Sequence, residues 1–229
     1  MTSPITGISS MATRQFLAEA VAAWQERAGA AVAIDSVGGV DAAKRVQAGE
    51  AFDVVILAAD AIGKLAAAGR IVDGSVTDLV RSGVAIAVPR GAARPDIGSE
   101  EALRRAVLAA PTVGYSTGPS GVALQQLFAR WGIAEAIQSR LVQAPPGVAV
   151  GSLVARGEVA LGFQQLSELM HLDGIEVVGP MPPELAIVTT FTGAVCSAST
   201  QPDAARALLD FIRSPAADEA RRRNGMQPA

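Results

Sequence analysis

Apolar positions along the chain follow two spacings. Short runs such as Ile5 to Ile8, Val32 to Val37 and Phe52 to Leu57 read as strands. Between them apolar residues recur at i, i+3, i+4 and i+7, as Phe16, Leu17, Ala20, Val21 and Trp24 do over Ala12 to Trp24. Gly29 is expected to end that helix, Gly38-Gly39 to open a short one stopping at Gly49, and Asp60 to cap a third ending at Gly69. Alternating strands and helices with short loops predict an α/β fold with a mostly parallel sheet covered on both faces.

The pattern continues through the second half. Arg81-Ser82-Gly83 leads into a strand over Val84 to Val88, and Glu100 and Glu101 mark the first turn of a helix. A strand end at Val113 to Tyr115 and a turn over Ser116 to Pro119 precede a helix from Ser120 to Trp131, with Leu124, Leu127, Phe128 and Trp131 on one face. A strand near Leu141-Val142, the loop Ala144 to Gly147 and a short helix stopping near Gly157 come next. Val159 to Phe163 then reads as a strand running into Gln164-Gln165. Further strands are expected at Glu176 to Val178 and Ile187 to Val195. Two closing helices, the first carrying Leu208, Leu209 and Ile212, end at Asn224-Gly225.

Composition narrows the function classes. The chain has 229 residues, 50% hydrophobic content and a formal charge of −3, enough for two small lobes and too little positive charge for a nucleic-acid binder. The one dense basic run, Arg221 to Arg223, reads as a solvated last helical turn. Cys196 is the sole cysteine, which excludes an intrachain disulfide and a thiolate metal cluster, and His171 is the sole histidine, which removes most His-based metal sites and triads. The glycine-rich turns match neither a dinucleotide fingerprint nor a phosphate loop with its lysine, so no cofactor is expected. No apolar stretch reaches the ~18 residues of a membrane segment. The beginning, MTSPITGISSMATRQ, lacks a basic start followed by an apolar run. A cytoplasmic protein is expected on that basis, or a periplasmic one whose leader has been cut away.

The chemistry centres on VGYSTGPSG, Val113 to Gly121. A strand, a hydroxyl-rich turn and a helix mouth together make an anion site, because the first helical N–H groups are unpaired and the helix dipole favours negative charge. Tyr115, Ser116, Ser120 and Gly121 are therefore candidate ligand residues. The first strand runs into Ser9, Ser10 and Met11 in the same way, with Arg14 in the helix that follows. An internal echo supports a matching pair. Gly39, Val40, Val46, Gly49 and Glu50 recur 108 residues later as Gly147, Val148, Val154, Gly157 and Glu158, and the same offset takes Ser9 to Thr117 and Thr13 to Gly121. Two lobes of this kind, facing each other, would clamp one small anion between two helix mouths.

In the short first strand with its Ser turn, the GGVDAAKRVQAGEAFDVVILA block, RSGVAIAVPRG, YSTGPSG and LVARGEVALGFQQLSEL, the chain resembles the type II periplasmic-binding-protein fold. Within that fold it resembles the molybdate-binding-protein-like solute-binding family. The resemblance implies two lobes, residues 1–88 with 188–229 and residues 89–187, joined by crossing strands near Val84 to Val88 and Ile187 to Thr192, with a ligand cleft between them. It also implies a small anionic ligand and, if the protein is exported, a membrane transporter as partner. Molybdate binders of the family use a Ser on the loop after the second strand and a Tyr in the later lobe. Those places here read Gly38 or Gly39 and Gln165. The lost hydroxyls argue against a tetrahedral oxyanion, and the room left by glycine favours a di- or tricarboxylate, with Gln164 or Gln165 donating an amide N–H. Adjacent strand residues point to opposite faces, so one of the two glutamines is expected at the ligand. Arg81, Gly147 and Val148 complete the candidate set.

Two functions compete. One is a solute-binding domain that closes on an organic anion. The other is an isomerase, since aconitate isomerase is similar to members of this family, which implies an allylic proton shift on a tricarboxylate. Helix mouths and Arg14 or Arg81 would stabilise the enolate-like charge. No base stands out: Glu168 and His171 follow the glutamine pair, and nothing in the sequence puts either at the ligand.

Overall fold

The computed structural model describes residues 3–28 and 30–229, and the helix end expected at Gly29 lies outside the described residues. In chain order the elements are β1 (Ile5–Ser10), a 3-10 turn (Met11–Thr13), α1 (Arg14–Ala28), β2 (Val32–Val37), α2 (Gly39–Gln47), β3 (Val54–Ala58), α3 (Ala59–Ala67), β4 (Thr77–Pro89) and α4 (Glu100–Ala109). They continue as β5 (Val113–Tyr115), α5 (Pro119–Arg130), α6 (Ala134–Ile137), β6 (Leu141–Gln143), α7 (Val150–Ala155), β7 (Leu161–Gln165), α8 (Leu166–Leu169), β8 (Ile175–Pro180), β9 (Val188–Val195), α9 (Pro202–Arg213), α10 (Asp218–Arg223) and β10 (Gln227–Pro228). Two compact units result, Met1–Ser82 with Thr189–Ala229, and Gly83–Val188. The chain enters the second unit partway along β4 and leaves it at the start of β9.

In the first unit the strands run in the order β2-β1-β3-β9-β4, with β10 also paired to β4. β1 is parallel to both β2 and β3, and β9 is antiparallel to β3. The two faces of β3 explain why Val54 to Leu57 is an unbroken apolar run. Val54 and Ile56 pack with Phe16, Leu17, Leu208 and Ile212 of α1 and α9, while Val55 and Leu57 pack with Ala42, Val46, Ile62 and Leu65 of α2 and α3. Asp53, just before β3, ties this unit together: Oδ2 accepts from Thr6 N at 2.8 Å and Gln201 Nε2 at 3.0 Å, and Oδ1 from Ser199 Oγ at 2.7 Å.

In the second unit β5 is parallel to β6 and β7, and β4 is antiparallel to β7 and β8. Phe163 and Tyr115 join the core under α4 and α5, and Ala85 and Ala87 the core under α7. The triplets β2-β1-β3 and β6-β5-β7 share one arrangement: three parallel strands, the earliest in the centre.

Local expectations need correction in six places. Asp60 is not a cap: Ala58 occupies the N-cap of α3 and Asp60 lies in its first turn. β4 is a 13-residue strand that already contains Arg81, Ser82 and Gly83, because β10 pairs with Val80 and Arg81. β3 starts at Val54 rather than Phe52, and β7 covers Leu161–Gln165 rather than Val159 to Phe163, so the glutamine pair closes the strand. The helix at the central turn begins at Pro119 with Gly118 as its N-cap, since proline's missing N–H costs nothing at the first position. Arg221 is 1% exposed rather than solvated, with Nη2 donating to Ile212 O at 2.6 Å and Nη1 to Ser214 O at 3.1 Å.

Candidate functional site

In the first unit the carboxyl ends of β1, β2 and β3 each deliver the chain directly into a helix or 3-10 turn, the geometry at which open α/β sheets bind ligands. Ser9 and Ser10 end β1, opposite Ser36 and Val37 of β2. Alternation turns the two serines to opposite faces. Ser9 is fully buried and its Oγ lies 2.8 Å from Ser36 Oγ, so that hydroxyl is engaged within the unit. Ser10 caps the 3-10 turn, Oγ accepting from Ala12 N at 3.4 Å, a long bond that leaves most of the hydroxyl's capacity open. Thr13 Oγ1 donates to Ser10 O at 2.9 Å and fixes the turn.

Gly39 sits beside Ser10: a Cβ built there would lie 3.7 Å from Ser10 Oγ. Gly38 is the N-cap of α2 and supplies no side-chain bond. The structure thus brings Ser10 together with Gly38 and Gly39. Met11 follows in the 3-10 turn. Arg14, at the start of α1, lines a groove of about 370 Å³ with Leu17, Val21, Ile34 and Ser36, on the side of β2 that faces α1.

In the second unit the equivalent turn is built from Tyr115, Ser116, Ser120 and Gly121. Ser116 Oγ lies 3.2 Å from Ser120 Oγ, and Ser120 and Tyr115 are buried. Gly121 is required by close approach, since a Cβ there would lie 1.8 Å from Ser116 O. The first turn of α5 has no acidic residue. Its N–H groups are not offset by a carboxylate of the helix's own first turn, which suits an anionic ligand. The loop after β6 is tied to this turn by Ala144 N donating to Tyr115 O at 2.9 Å. Within that loop Gly147 has φ of +75° and Val148 N donates to Pro145 O at 3.0 Å.

The two glutamines divide as strand alternation requires. Gln164 is 3% exposed and fully committed: its Oε1 accepts from Gly151 N at 2.9 Å, and its Nε2 donates to Glu168 Oε1 at 2.9 Å. Gln165, on the opposite face with Phe163, is buried and remains the glutamine candidate for a ligand. Burial pushes the Glu168 carboxyl up to about 7, against a smaller downward pull from Gln164. Arg81 is not drawn into either turn by any bond of its own: its Nε donates to Pro228 O at 3.1 Å.

Three contributors escaped sequence reasoning: Ser36, Thr13 and the bond from Gly151 to Gln164. Ser36 was the most accessible, because aligning β1 with β2 in parallel register brings it opposite Ser9. Among the described residues no group of three or more His, Cys, Asp or Glu is placed to hold a metal ion, and no helix is long and apolar enough to cross a membrane.

Comparison with known proteins bears on the family and the fold. The chain is 37% identical over 187 residues to an aconitate isomerase of a Pseudomonas species, covering 80% of this chain and 70% of that one. It is 31% identical over 106 residues to a molybdate-binding protein of Azotobacter vinelandii, covering 45% and 42%. Among solved structures, the periplasmic molybdate-binding protein of A. vinelandii superposes with a TM-score of 0.80 at 18% identity, over 97% of this chain and 98% of that one. The fold is therefore that of the type II periplasmic binding proteins. A family model described as bacterial extracellular solute-binding protein matches residues 5–227, and the chain belongs to that family.

Proposed function

We propose that the protein binds a small organic anion, a di- or tricarboxylate rather than molybdate, through the serine turns of both units. The observation that carries this reading is the pairing of a hydroxyl with a helix mouth in each unit: Ser10 beside Gly38 and Gly39 at α2, and Ser116 with Ser120 at α5. Inorganic oxyanions need a full set of donors, and each unmet one costs about 1 to 3 kcal/mol. Ser9 is spent on Ser36, and Gly38 and Gly39 offer no hydroxyl, so the donor count is poor for a tetrahedral ion and the space is generous for a carbon skeleton. A transporter would then read the ligand-bound form if the protein works outside the cytoplasm. Ser120→Ala and Ser10→Ala should each weaken carboxylate binding roughly tenfold to a hundredfold, the worth of one hydrogen bond to a charged group. Unchanged affinity in both variants, measured by calorimetry, would remove the turns from the site.

A second reading is favoured by one observation, the 37% identity to a protein named aconitate isomerase. On this reading the same anion site holds a tricarboxylate while a proton moves between its allylic carbons. Helix N–H groups stabilise the enolate-like charge of the intermediate.

A further inference from the structure

Glu168 is an unusual carboxylate for its surroundings. It follows β7 directly, in the one-turn helix α8, on the same strand-end edge of the second unit as Tyr115. Its neighbours offer no countercharge. Neither β7 nor α7 carries a charged residue, and β8 carries only Glu176, which pairs with Arg94 at 3.1 Å. Beyond α8, Asp173 pairs with Arg90 at 3.5 Å. The one hydrogen bond defined for the carboxyl comes from Gln164, and that bond is oriented. Gly151 N occupies Gln164 Oε1, so the amide must present its NH₂ to Glu168 Oε1. Oε2 is left for a proton.

We propose that Glu168 is the proton-carrying residue of the allylic shift, with Gln164 as its positioning residue; this rests on the isomerase reading above. Glu168 Oε2 takes a proton from the saturated CH₂ carbon of the tricarboxylate, and the C–H electron pair becomes the new C=C. The carboxyl exchanges its proton with solvent, and the pair of the original C=C then takes a proton from Glu168 at the distal carbon, restoring the carboxylate. No atom is gained or lost and nothing is oxidised. A carboxyl that titrates near neutrality suits both halves of the step, because it holds and releases the proton with comparable ease.

The test is proton NMR of cis- and trans-aconitate in D₂O with the full chain. The wild type should interconvert the isomers and incorporate deuterium. Glu168→Gln should slow both by at least about a hundredfold, the usual share of a general base, with trans-aconitate still bound in calorimetry. Glu168→Asp should recover part of the rate. Gln164→Leu removes the bond that favours the charged carboxylate, so its rate profile should rise at higher pH than the wild type. Exchange by Glu168→Gln within tenfold of wild type would overturn the assignment and leave the isomerase reading standing. Absence of exchange by the wild type would overturn both.

Discussion

Asp53 shows how one buried carboxylate can hold a unit closed. Burial alone would raise its pKa, but the backbone N–H of Thr6 and the side chains of Ser199, Gln201 and Thr6 together outweigh that cost and hold the carboxyl below the usual range. A lowered folded value means stability that is present above the unfolded pKa and lost as pH falls through the folded one. Asp53→Ala strands these donors and should cost about 3 kcal/mol in urea unfolding at neutral pH, with a smaller loss of stability on acidification than in the wild type. Cys196, 2% exposed, has its thiol pushed up to about 12 by burial and by the nearby Asp53 charge. It should resist thiol reagents until the protein unfolds, and rapid labelling of the folded protein would contradict its burial. Gly121 is the residue on which the central turn depends. Gly121→Ala forces a methyl into Ser116 O and should cost about 2 to 4 kcal/mol, or displace Ser116 and weaken ligand binding.

At the scale of elements, helices and strands were legible wherever periodicity was strong. α1, α2, α5 and α9 follow their apolar stripes, and β2 and β3 their short apolar runs. What was hidden depended on partners distant in sequence. That Arg81 Nε would donate to Pro228 O was not legible, because nothing local showed that β10, arriving at the end of the chain, would pair beside it. Arg221 looked solvated because its carbonyl acceptors, Ile212 and Ser214, come from the C-terminal end of α9. The opposite faces of Gln164 and Gln165 were readable from alternation, whereas the engagement of Gln164 by Gly151 required the fold. The pairing of β7, α7 and α8 through Gln164 and Glu168 carries a pH signature. Because the folded pKa of Glu168 is raised, its contribution to stability is full below the unfolded value near 4.5 and is lost as pH rises through about 7. Thermal melts should show stability falling by on the order of 1 to 3 kcal/mol between pH 5 and 8, and Glu168→Gln should flatten that slope. A wild-type curve flat across this range would place the carboxyl in a more solvated setting.

For the whole molecule, the internal echo and the repeated parallel triplet describe one architectural idea used twice: a central strand whose end turns through hydroxyls into a helix. Family membership follows from the chain as a whole, while the proposed preference for a carboxylate over molybdate turns on a few positions, chiefly Gly38, Gly39 and Gln165. On the proposed reading, Ser10→Ala and Ser120→Ala should each lower trans-aconitate affinity in calorimetry. The most direct test is a calorimetric titration of the wild type with trans-aconitate and, separately, with molybdate. Saturable one-to-one binding of trans-aconitate with no measurable heat from molybdate is the predicted result, and tighter binding of molybdate than of any polycarboxylate would contradict the account.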